Sequence, residues 1–316
     1  IDTCEYDRRF SLCDGVGVTF TDAGHLLGSA SVTLDLTENG EHRTLVFSGD
    51  IGNVDQPIIR DPVLLHRGDY VVMESTYGDR NHQEVWSYTD ELAAVIDRTL
   101  GRGGNVVIPA FAVGRTQEIL YFIGRMKQEG LVKSAPDFPV YVDSPLAGKA
   151  TTIFAGDLRG YLDEEALELV RTHQSMFTFP GLRLTESLEE SKMLNTDKTP
   201  KVILSASGMC DAGRIRHHLK YNLWRHDSTV VFVGFQGEGT LGRTLLEGAK
   251  SVKLFGEEIA VNAEIVNFKG LSSHADRNHL LAWAQAFDGP KHIFVTHGDR
   301  EVAPYFAESL QKLGLE

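Results

Sequence analysis

The middle of the chain, residues 78–268, alternates short apolar runs with amphipathic helical patterns, and this alternation restricts the folds that the chain can adopt. The runs are rich in β-branched residues and are apolar throughout, which indicates strands buried on both faces. Helices between such strands predict a parallel α/β sheet. The strands predicted along the whole chain are Ser31–Leu36, Thr44–Phe47, Tyr70–Met73, Asn105–Pro109, Val140–Val142, Lys201–Leu204, Thr229–Gly234, Ala263–Phe268 and His292–Thr296. The predicted helices are Ser87–Leu100, Thr116–Gln128, Leu162–Leu169, Arg214–Leu223, Asp276–Phe287 and Val302–Leu313.

The first fifty residues have a different pattern. From Val16 to Asp50 the sequence indicates strand, turn and strand, and Asn39-Gly40 is a dipeptide that favours the positive φ of a hairpin turn. The residue before the first strand of an antiparallel hairpin and the residue after the second lie at the same end of the sheet. We therefore expect His25 and Asp50 to be neighbours in space.

The charge balance excludes nucleic-acid binding by bulk positive charge. The 316 residues include 31 basic and 44 acidic side chains, for a formal net charge of −13. One helical stretch, 214–226, is locally basic and contains Arg214, Arg216, His217, His218, Lys220, Arg225 and His226. Two interpretations of this stretch stay open: a solvated helix face and a surface that contacts phosphate.

The cysteines and the hydropathy pattern bear on the compartment. The three cysteines form no CxxC pair, and this usage is typical of a reducing cytoplasm. No apolar run reaches the length that a membrane span needs. The sequence therefore predicts a cytoplasmic protein.

Five residues with metal-binding or acid-base chemistry lie in loops beside small residues. They are His25, Asp50, Glu74, His274 and His297. Imidazole and carboxylate groups suit Zn²⁺, and a carboxylate between two metals helps to produce hydroxide near neutral pH. Each residue taken alone has a simpler explanation as a surface, capping or turn residue.

Taken together, the order of these motifs resembles the β-CASP branch of the metallo-β-lactamase superfamily, which comprises RNA-processing nucleases such as the cleavage-and-polyadenylation endonuclease. Blocks that begin at Pro109, Val142, Ser205 and Gly234 resemble the cap domain of that family. The likeness extends from about residue 16 to the C-terminus. It implies an α/β fold in which an incomplete metallo-β-lactamase αββα sandwich, residues 1–78 and 269–316, carries an inserted β-CASP parallel-sheet cap, residues 79–268.

The resemblance also implies roles for single residues. His25 would ligate one metal, His297 a second, and Asp50 would bridge the two. Glu74 would orient His274, and His274 would protonate the leaving oxygen of the substrate. The implied contacts to substrate phosphate or backbone are Arg115, Ser205, Ser207, Arg243 and Ser273. For the two arginines, an ordinary surface ion pair is an equal alternative.

The predicted function is that of a metal-dependent ribonuclease, which hydrolyses RNA phosphodiester bonds with hydroxide activated by two zinc ions and with a histidine general acid. RNA would lie in the cleft between the two domains. Two alternatives stay open: a non-catalytic scaffold subunit of the same family, and a hydrolase of small substrates on the same metal chemistry.

The sequence departs from the family at one motif. The early His-x-His-x-Asp-His signature of the superfamily is absent, so roughly a hundred or more residues are expected ahead of residue 1. With three ligands left, zinc binding by this chain alone is expected to be partial or absent, and the chain alone is expected to be impaired as an enzyme. The hairpin and the strands near Tyr70 and His292 are expected to expose an apolar edge and face. Either the residues expected ahead of residue 1 or a second copy in a homodimer would cover this surface.

Overall fold

The computed structural model describes residues 2–82, 87–156, 158, 160–171, 177–268 and 272–315. The strands are β1 (Phe10–Cys13), β2 (Val16–Asp22), β3 (Ala30–Glu38), β4 (Glu41–Phe47), β5 (Tyr70–Met73), β6 (Val106–Pro109), β7 (Val140–Val142), β8 (Leu182–Leu184), β9 (Val202–Ser205), β10 (Thr229–Phe232), β11 (Ser251–Leu254), β12 (Glu257–Ala260), β13 (Glu264–Asn267) and β14 (His292–Val295). The helices are α1 (Ser87–Gly101), α2 (Arg115–Gln128), α3 (Pro145–Phe154), α4 (Glu164–Arg171), α5 (Leu188–Thr196), α6 (Ile215–Asn222), α7 (Leu241–Leu246), α8 (Arg277–Gln285) and α9 (Val302–Lys312).

The chain divides into two compact units. Residues 1–82 and 273–316 form the first unit, and residues 83–272 form the second. The domain boundary predicted between residues 268 and 269 borders on residues 269–271, which lie outside the described residues. The boundary predicted between residues 78 and 79 stays a prediction.

The first unit is built on a six-stranded sheet with the order β1-β2-β3-β4-β5-β14. Strands β3 and β4 pair antiparallel, with Glu38 opposite Glu41, so that Asn39 and Gly40 form a two-residue turn with φ values of 51° and 82°. These positive values explain why Asn-Gly occupies the turn. The predicted hairpin is confirmed, and its open end carries the loops that hold His25 and Asp50.

One face of this sheet forms the core of the first unit. Val46, Val71 and Met73 are fully buried on that face, in one cluster with Trp283 and Phe306. The last two belong to α8 and α9, the helices that cover this face. Packing of two helices on β5 and β14 places the loops at the ends of those strands on a rigid base.

The opposite face of the same sheet carries a row of apolar side chains. The pairing register aligns Phe20, Val32, Phe47, Val72 and Phe294 across five neighbouring strands. Phe47 and Phe294 are exposed, the latter at 53 %. The expectation of an exposed apolar face is therefore confirmed at these two positions.

The second unit contains a six-stranded parallel sheet with the order β13-β10-β6-β9-β7-β8. The three strands β6, β9 and β10 are buried along their whole length. This confirms the parallel α/β sheet predicted from the uninterrupted apolar runs.

Several short elements of the chain were absent from the sequence prediction. The antiparallel hairpin of β11 and β12 interrupts the predicted alternation, and α3, α5 and α7 have no counterpart among the predicted helices. These helices have 10, 9 and 6 residues, and their hydrophobic periodicity is too short to stand out. Ser144 caps α3 and Pro145 opens it, which is a start signal that the sequence does carry.

Among the described residues, no helix is both long enough and apolar enough to cross a lipid bilayer.

Truncation of a side chain to alanine is expected to cost much more stability on the buried face of the first sheet than on its exposed face. Phe306→Ala removes a fully buried ring and is expected to lower the free energy of unfolding by about 3–5 kcal/mol. Phe294→Ala, the matched control on the exposed face, is expected to cost less than about 1 kcal/mol. Urea denaturation followed by the fluorescence of the buried Trp283 measures both. Equal costs for the two variants would contradict the assignment of the core to one face.

Candidate metal centre

His25 lies in the loop between β2 and β3, at the open end of the hairpin. Its backbone N–H and that of Leu26 donate to the Ser29 hydroxyl, which fixes the loop. The loop is pressed against residue 52, where any side chain would overlap the backbone carbonyl of Gly24, so glycine is required there. Burial and the neighbouring His274 lower the pKa of His25, and the Asp50 carboxylate opposes this effect only in part. His25 is therefore neutral near pH 7, which is the form that binds metal.

Asp50 follows β4 and lies between two imidazoles. Its Oδ2 is 3.8 Å from Nε2 of His25, and its Oδ1 is 3.3 Å from Nε2 of His297. The Asp50 side chain is 42 % exposed. The two oxygens of the Asp50 carboxylate therefore face two different imidazoles.

His297 lies two residues after the end of β14 and has a backbone φ of 48°, which non-glycine residues seldom adopt. The Ser75 N–H and the Thr76 hydroxyl donate to its backbone carbonyl. Gly298 lies against Ser75, where a side chain would collide with the Ser75 hydroxyl. These contacts hold His297 beside Asp50, although nearly 250 residues separate it from the hairpin.

The buried Glu74 and the half-buried His274 form a pair next to Asp50. The His274 Nδ1 lies 3.0 Å from Glu74 Oε1 and 3.2 Å from Oε2. The Ile51 N–H also donates to Oε1, at 2.6 Å, and the Thr76 N–H donates to Oε2. The Glu74 side chain is 1 % exposed. Burial alone would favour the neutral acid, but the hydrogen bonds and the charge of His274 together lower the pKa of Glu74.

An ionised Glu74 determines the tautomer of His274. Because a carboxylate only accepts hydrogen bonds, the His274 nitrogen that faces Glu74 must carry the proton. That nitrogen is Nδ1, which donates to the carboxylate. Nε2 is then the ring nitrogen of His274 that does not face Glu74. The rings of His25 and His274 lie with their centroids 4.4 Å apart, and those of His274 and His297 are 5.9 Å apart.

The donor atoms suit a transition-metal site. In the described part of the chain, ligand atoms of His25, Asp50 and His274 all lie within 4.8 Å of one another, and His297 adds an imidazole on the other side of Asp50. Three imidazoles and one carboxylate are the nitrogen and oxygen ligands that Zn²⁺ takes in catalytic sites. The residues present therefore fit such an ion.

Sequence reasoning missed one residue of this site, His82. Its ring N–H donates to the His274 backbone carbonyl at 3.0 Å, and its backbone N–H donates to Asp276, the N-cap of α8. The Tyr77 ring meets the His82 ring edge-on at a centroid distance of 4.5 Å. The signal in the sequence was the position of His82, eight residues after Glu74 in the segment that follows β5.

The five residues predicted to contact substrate have varied environments. Ser273 adjoins His274, and its carbonyl accepts from the Asn53 N–H. The other four lie in the second unit, where each side chain has a polar partner. These pairs are Arg115 with Glu118, Arg243 with Glu247, Ser205 with the Asp143 carbonyl and Ser207 with the Ala212 carbonyl. Both arginines thus take part in ion pairs, and a role of the five residues in substrate binding stays a prediction.

The chain is similar to two protein-family models and to several known proteins. Residues 116–245 match the family model of the Beta-Casp domain, and residues 258–316 match the model of the Zn-dependent metallo-hydrolase RNA specificity domain. A ribonuclease of Thermus thermophilus is 38 % identical over 286 residues, which cover 90 % of this chain and 63 % of the relative. An RNase J-like protein of Methanocaldococcus jannaschii is 30 % identical over 99 % of this chain and 70 % of the relative. The transcription termination factor FttA of Methanosarcina mazei is 31 % identical over 98 % of this chain. The chain spans about half of that factor's length, 49 %, and 63 % of the Thermus ribonuclease.

The buried Glu74 predicts a pH-dependent contribution to stability. Its pKa is lowered in the folded state, so the contribution is complete above the unfolded pKa of about 4.3 and is lost as the pH falls through the folded pKa. Glu74→Gln is expected to lower the free energy of unfolding by about 2 kcal/mol at pH 7, because charged hydrogen bonds to buried groups are lost. The difference from the unsubstituted chain should narrow at pH 4 and below. Urea denaturation at several pH values measures it, with the exposed Glu308→Gln as the matched control. A difference that stays constant with pH would show that the pKa of Glu74 is the same in the folded and unfolded chain, which would contradict the lowered pKa.

Proposed function

Because this chain belongs to the β-CASP family of metallo-β-lactamase-fold proteins, we propose that it carries the catalytic centre of a zinc-dependent ribonuclease that hydrolyses RNA phosphodiester bonds. The observation that carries the proposal is the position of Asp50 between His25 and His297, beside the pair that the buried Glu74 forms with His274. The names of the Thermus ribonuclease and of the RNase J-like protein support RNA as the substrate.

His25, Asp50 and His297 would hold two zinc ions, with one oxygen of Asp50 directed to each side. When bound, zinc supplies positive charge to the scissile phosphate and lowers the pKa of the attacking water. A neutral His25 is ready to ligate at pH 7 without first losing a proton. Complete zinc sites take about four ligands each, so we expect the described residues to bind zinc weakly by themselves.

His274 would act as the general acid. Glu74 holds its Nδ1 proton, so the ring is oriented and its positive form is stabilised by the adjacent carboxylate. A proton on Nε2 would then pass to the departing ribose oxygen. The hydrogen bond from His82 to the His274 carbonyl fixes the backbone from which this ring projects.

Zinc binding tests the metal part of the proposal. We expect isothermal titration of zinc-free protein to detect a site, and Asp50→Asn to weaken it by more than about tenfold, because Asp50 contacts both imidazoles. His292→Ala, which removes an exposed histidine at the far end of β14, is the matched control and should leave the affinity unchanged. Equal affinity in the Asp50→Asn protein would reject Asp50 as a ligand.

Leaving-group dependence tests the role of His274, with the full-length protein that the gene encodes. His274→Ala is expected to slow cleavage of an RNA oligonucleotide by about 10²- to 10⁴-fold, because the ribose oxygen needs a proton as it departs. A p-nitrophenyl phosphodiester, whose leaving group needs no proton, should lose far less. If both substrates lose activity equally, His274 acts in another way, for example as a metal ligand. If the unsubstituted full-length protein binds zinc and RNA but cleaves neither substrate, the scaffold alternative holds.

A further inference from the structure

The side chains of the basic stretch, residues 214–226, point either into the second unit or away from it. Ile215, His218 and Leu219 face the interior of the second unit and are fully buried. His217 and Tyr221 lie on the opposite side and are exposed, and Trp224, in the turn that follows α6, is 54 % exposed. At 1.5 Å per helical residue, His217 and Tyr221 are about 6 Å apart along the helix axis.

The tip of the β11–β12 hairpin extends this outward face. The ring of Phe255 is exposed and stacks on His217 with a centroid distance of 4.3 Å and an interplanar angle of 21°. The guanidinium carbon of Arg216 lies 5.1 Å from the centre of the same ring. Phe255 has a φ of 51° at a turn position where asparagine or glycine is normally found. A bulky ring is thus held in an unfavourable backbone conformation on the surface, next to two nitrogen-rich side chains.

Positive charge on this face is incompletely neutralised. Among the residues that the structure describes, no carboxylate lies within 4.0 Å of the Arg216 guanidinium, and its buried Nε has no hydrogen-bond partner. Lys220 pairs with Glu257, which is itself largely exposed and is therefore easily displaced. Partial burial, followed by the charges of His218, Lys220 and Arg216, lowers the pKa of His217. His217 is therefore a neutral ring near pH 7, flanked by two cations.

This arrangement differs from the rest of the basic stretch. Arg214 donates to Asp143 at 2.7 Å, His218 lies 2.6 Å from the same carboxylate, and Arg225 pairs with Asp227. Those side chains are used for internal contacts. The outward group is Arg216, His217, Lys220, Tyr221, Trp224 and Phe255, and we call it the aromatic-basic face.

We propose that the aromatic-basic face binds single-stranded RNA, with bases stacked on Trp224 and Tyr221 and with phosphates held by Arg216 and Lys220. Exposed rings interleaved with cations are the combination that binds single strands, because bases stack on the rings while the cations follow the backbone. A duplex would not fit as well, since its bases are already stacked and paired.

Charge complementarity favours a polyanion over an ordinary protein surface as the occupant. The chain carries a net charge of −13, so a strand of RNA is repelled by most of its surface and is attracted only where cations are concentrated. The inference rests on the proposed function in one respect, namely that RNA is the substrate class. It adds a binding surface formed within residues 83–272, whereas the metal ligands all belong to the other unit.

Fluorescence of Trp224 tests the proposal directly. The chain carries Asp50→Asn, so that cleavage does not interfere, and the probe is a 12-nucleotide oligouridylate. We expect the oligonucleotide to quench the tryptophan emission, and Trp224→Phe to abolish most of that quenching while keeping the affinity within about twofold, because phenylalanine also stacks. Trp224→Ala is expected to weaken binding at least about fivefold. Arg216→Gln is expected to reduce the slope of log K against log salt by about 0.7, the value for one phosphate contact in a single strand.

The matched control is Tyr305→Ala, which removes another exposed ring, 47 % exposed and 5.9 Å from the guanidinium carbon of Arg277. It should leave RNA binding unchanged. Thermal unfolding of each variant verifies that the fold is intact, and Trp224→Phe keeps the test decisive if Trp224→Ala is unstable.

Three results would overturn the proposal: unchanged affinity in Trp224→Ala, equal loss in Tyr305→Ala, or quenching of Trp224 by polyglutamate as strong as by the oligonucleotide. The last result would assign the face to an acidic protein. Failure of the proposed function is distinguishable, since an inactive metal centre would abolish cleavage and leave the quenching intact.

Discussion

The buried Glu74 carboxylate is the interaction on which the candidate centre depends. A charge that is 1 % exposed is tolerated only with hydrogen bonds to compensate the loss of water, and Glu74 receives them from Ile51, Thr76 and His274. These three donors belong to the loop after β4, the loop after β5 and the segment before α8. One side chain therefore joins three parts of the chain, and its removal would release all of them together.

The carboxylates of Asp50, which follows β4, and Glu74, which follows β5, have different chemistry because their surroundings differ. Glu74 is enclosed and hydrogen-bonded, so it orients a ring and takes no part in ligand exchange. Asp50 is 42 % exposed and has both oxygens directed at imidazoles, so it is accessible to ions from solvent.

The division of polar residues on α6 follows the same principle in the second unit. Asp143 is completely buried and accepts from Ser191 and Arg214, with His218 2.6 Å away, and these bonds lower its pKa despite burial. This network uses Arg214 and His218, two of the seven basic residues that the sequence presents as one cluster. Arg216 and Lys220 belong instead to the aromatic-basic face, where cations combine with exposed rings as expected of a surface that binds single-stranded nucleic acid.

The sequence by itself determined the elements whose cause is local. Uninterrupted apolar runs specify strands buried on both faces, and Asn39-Gly40 specifies a turn and hence the proximity of His25 to Asp50. Short helices such as α7 and the hairpin of β11 and β12 escaped prediction, because a few residues carry too little periodicity. Only the tertiary structure decided that His297 reaches Asp50, since this follows from the parallel pairing of β14 with β5 across more than 200 residues. It also decided which nitrogen of His274 faces Glu74 and which side of α6 faces water, because side-chain direction depends on packing between segments that no local pattern encodes.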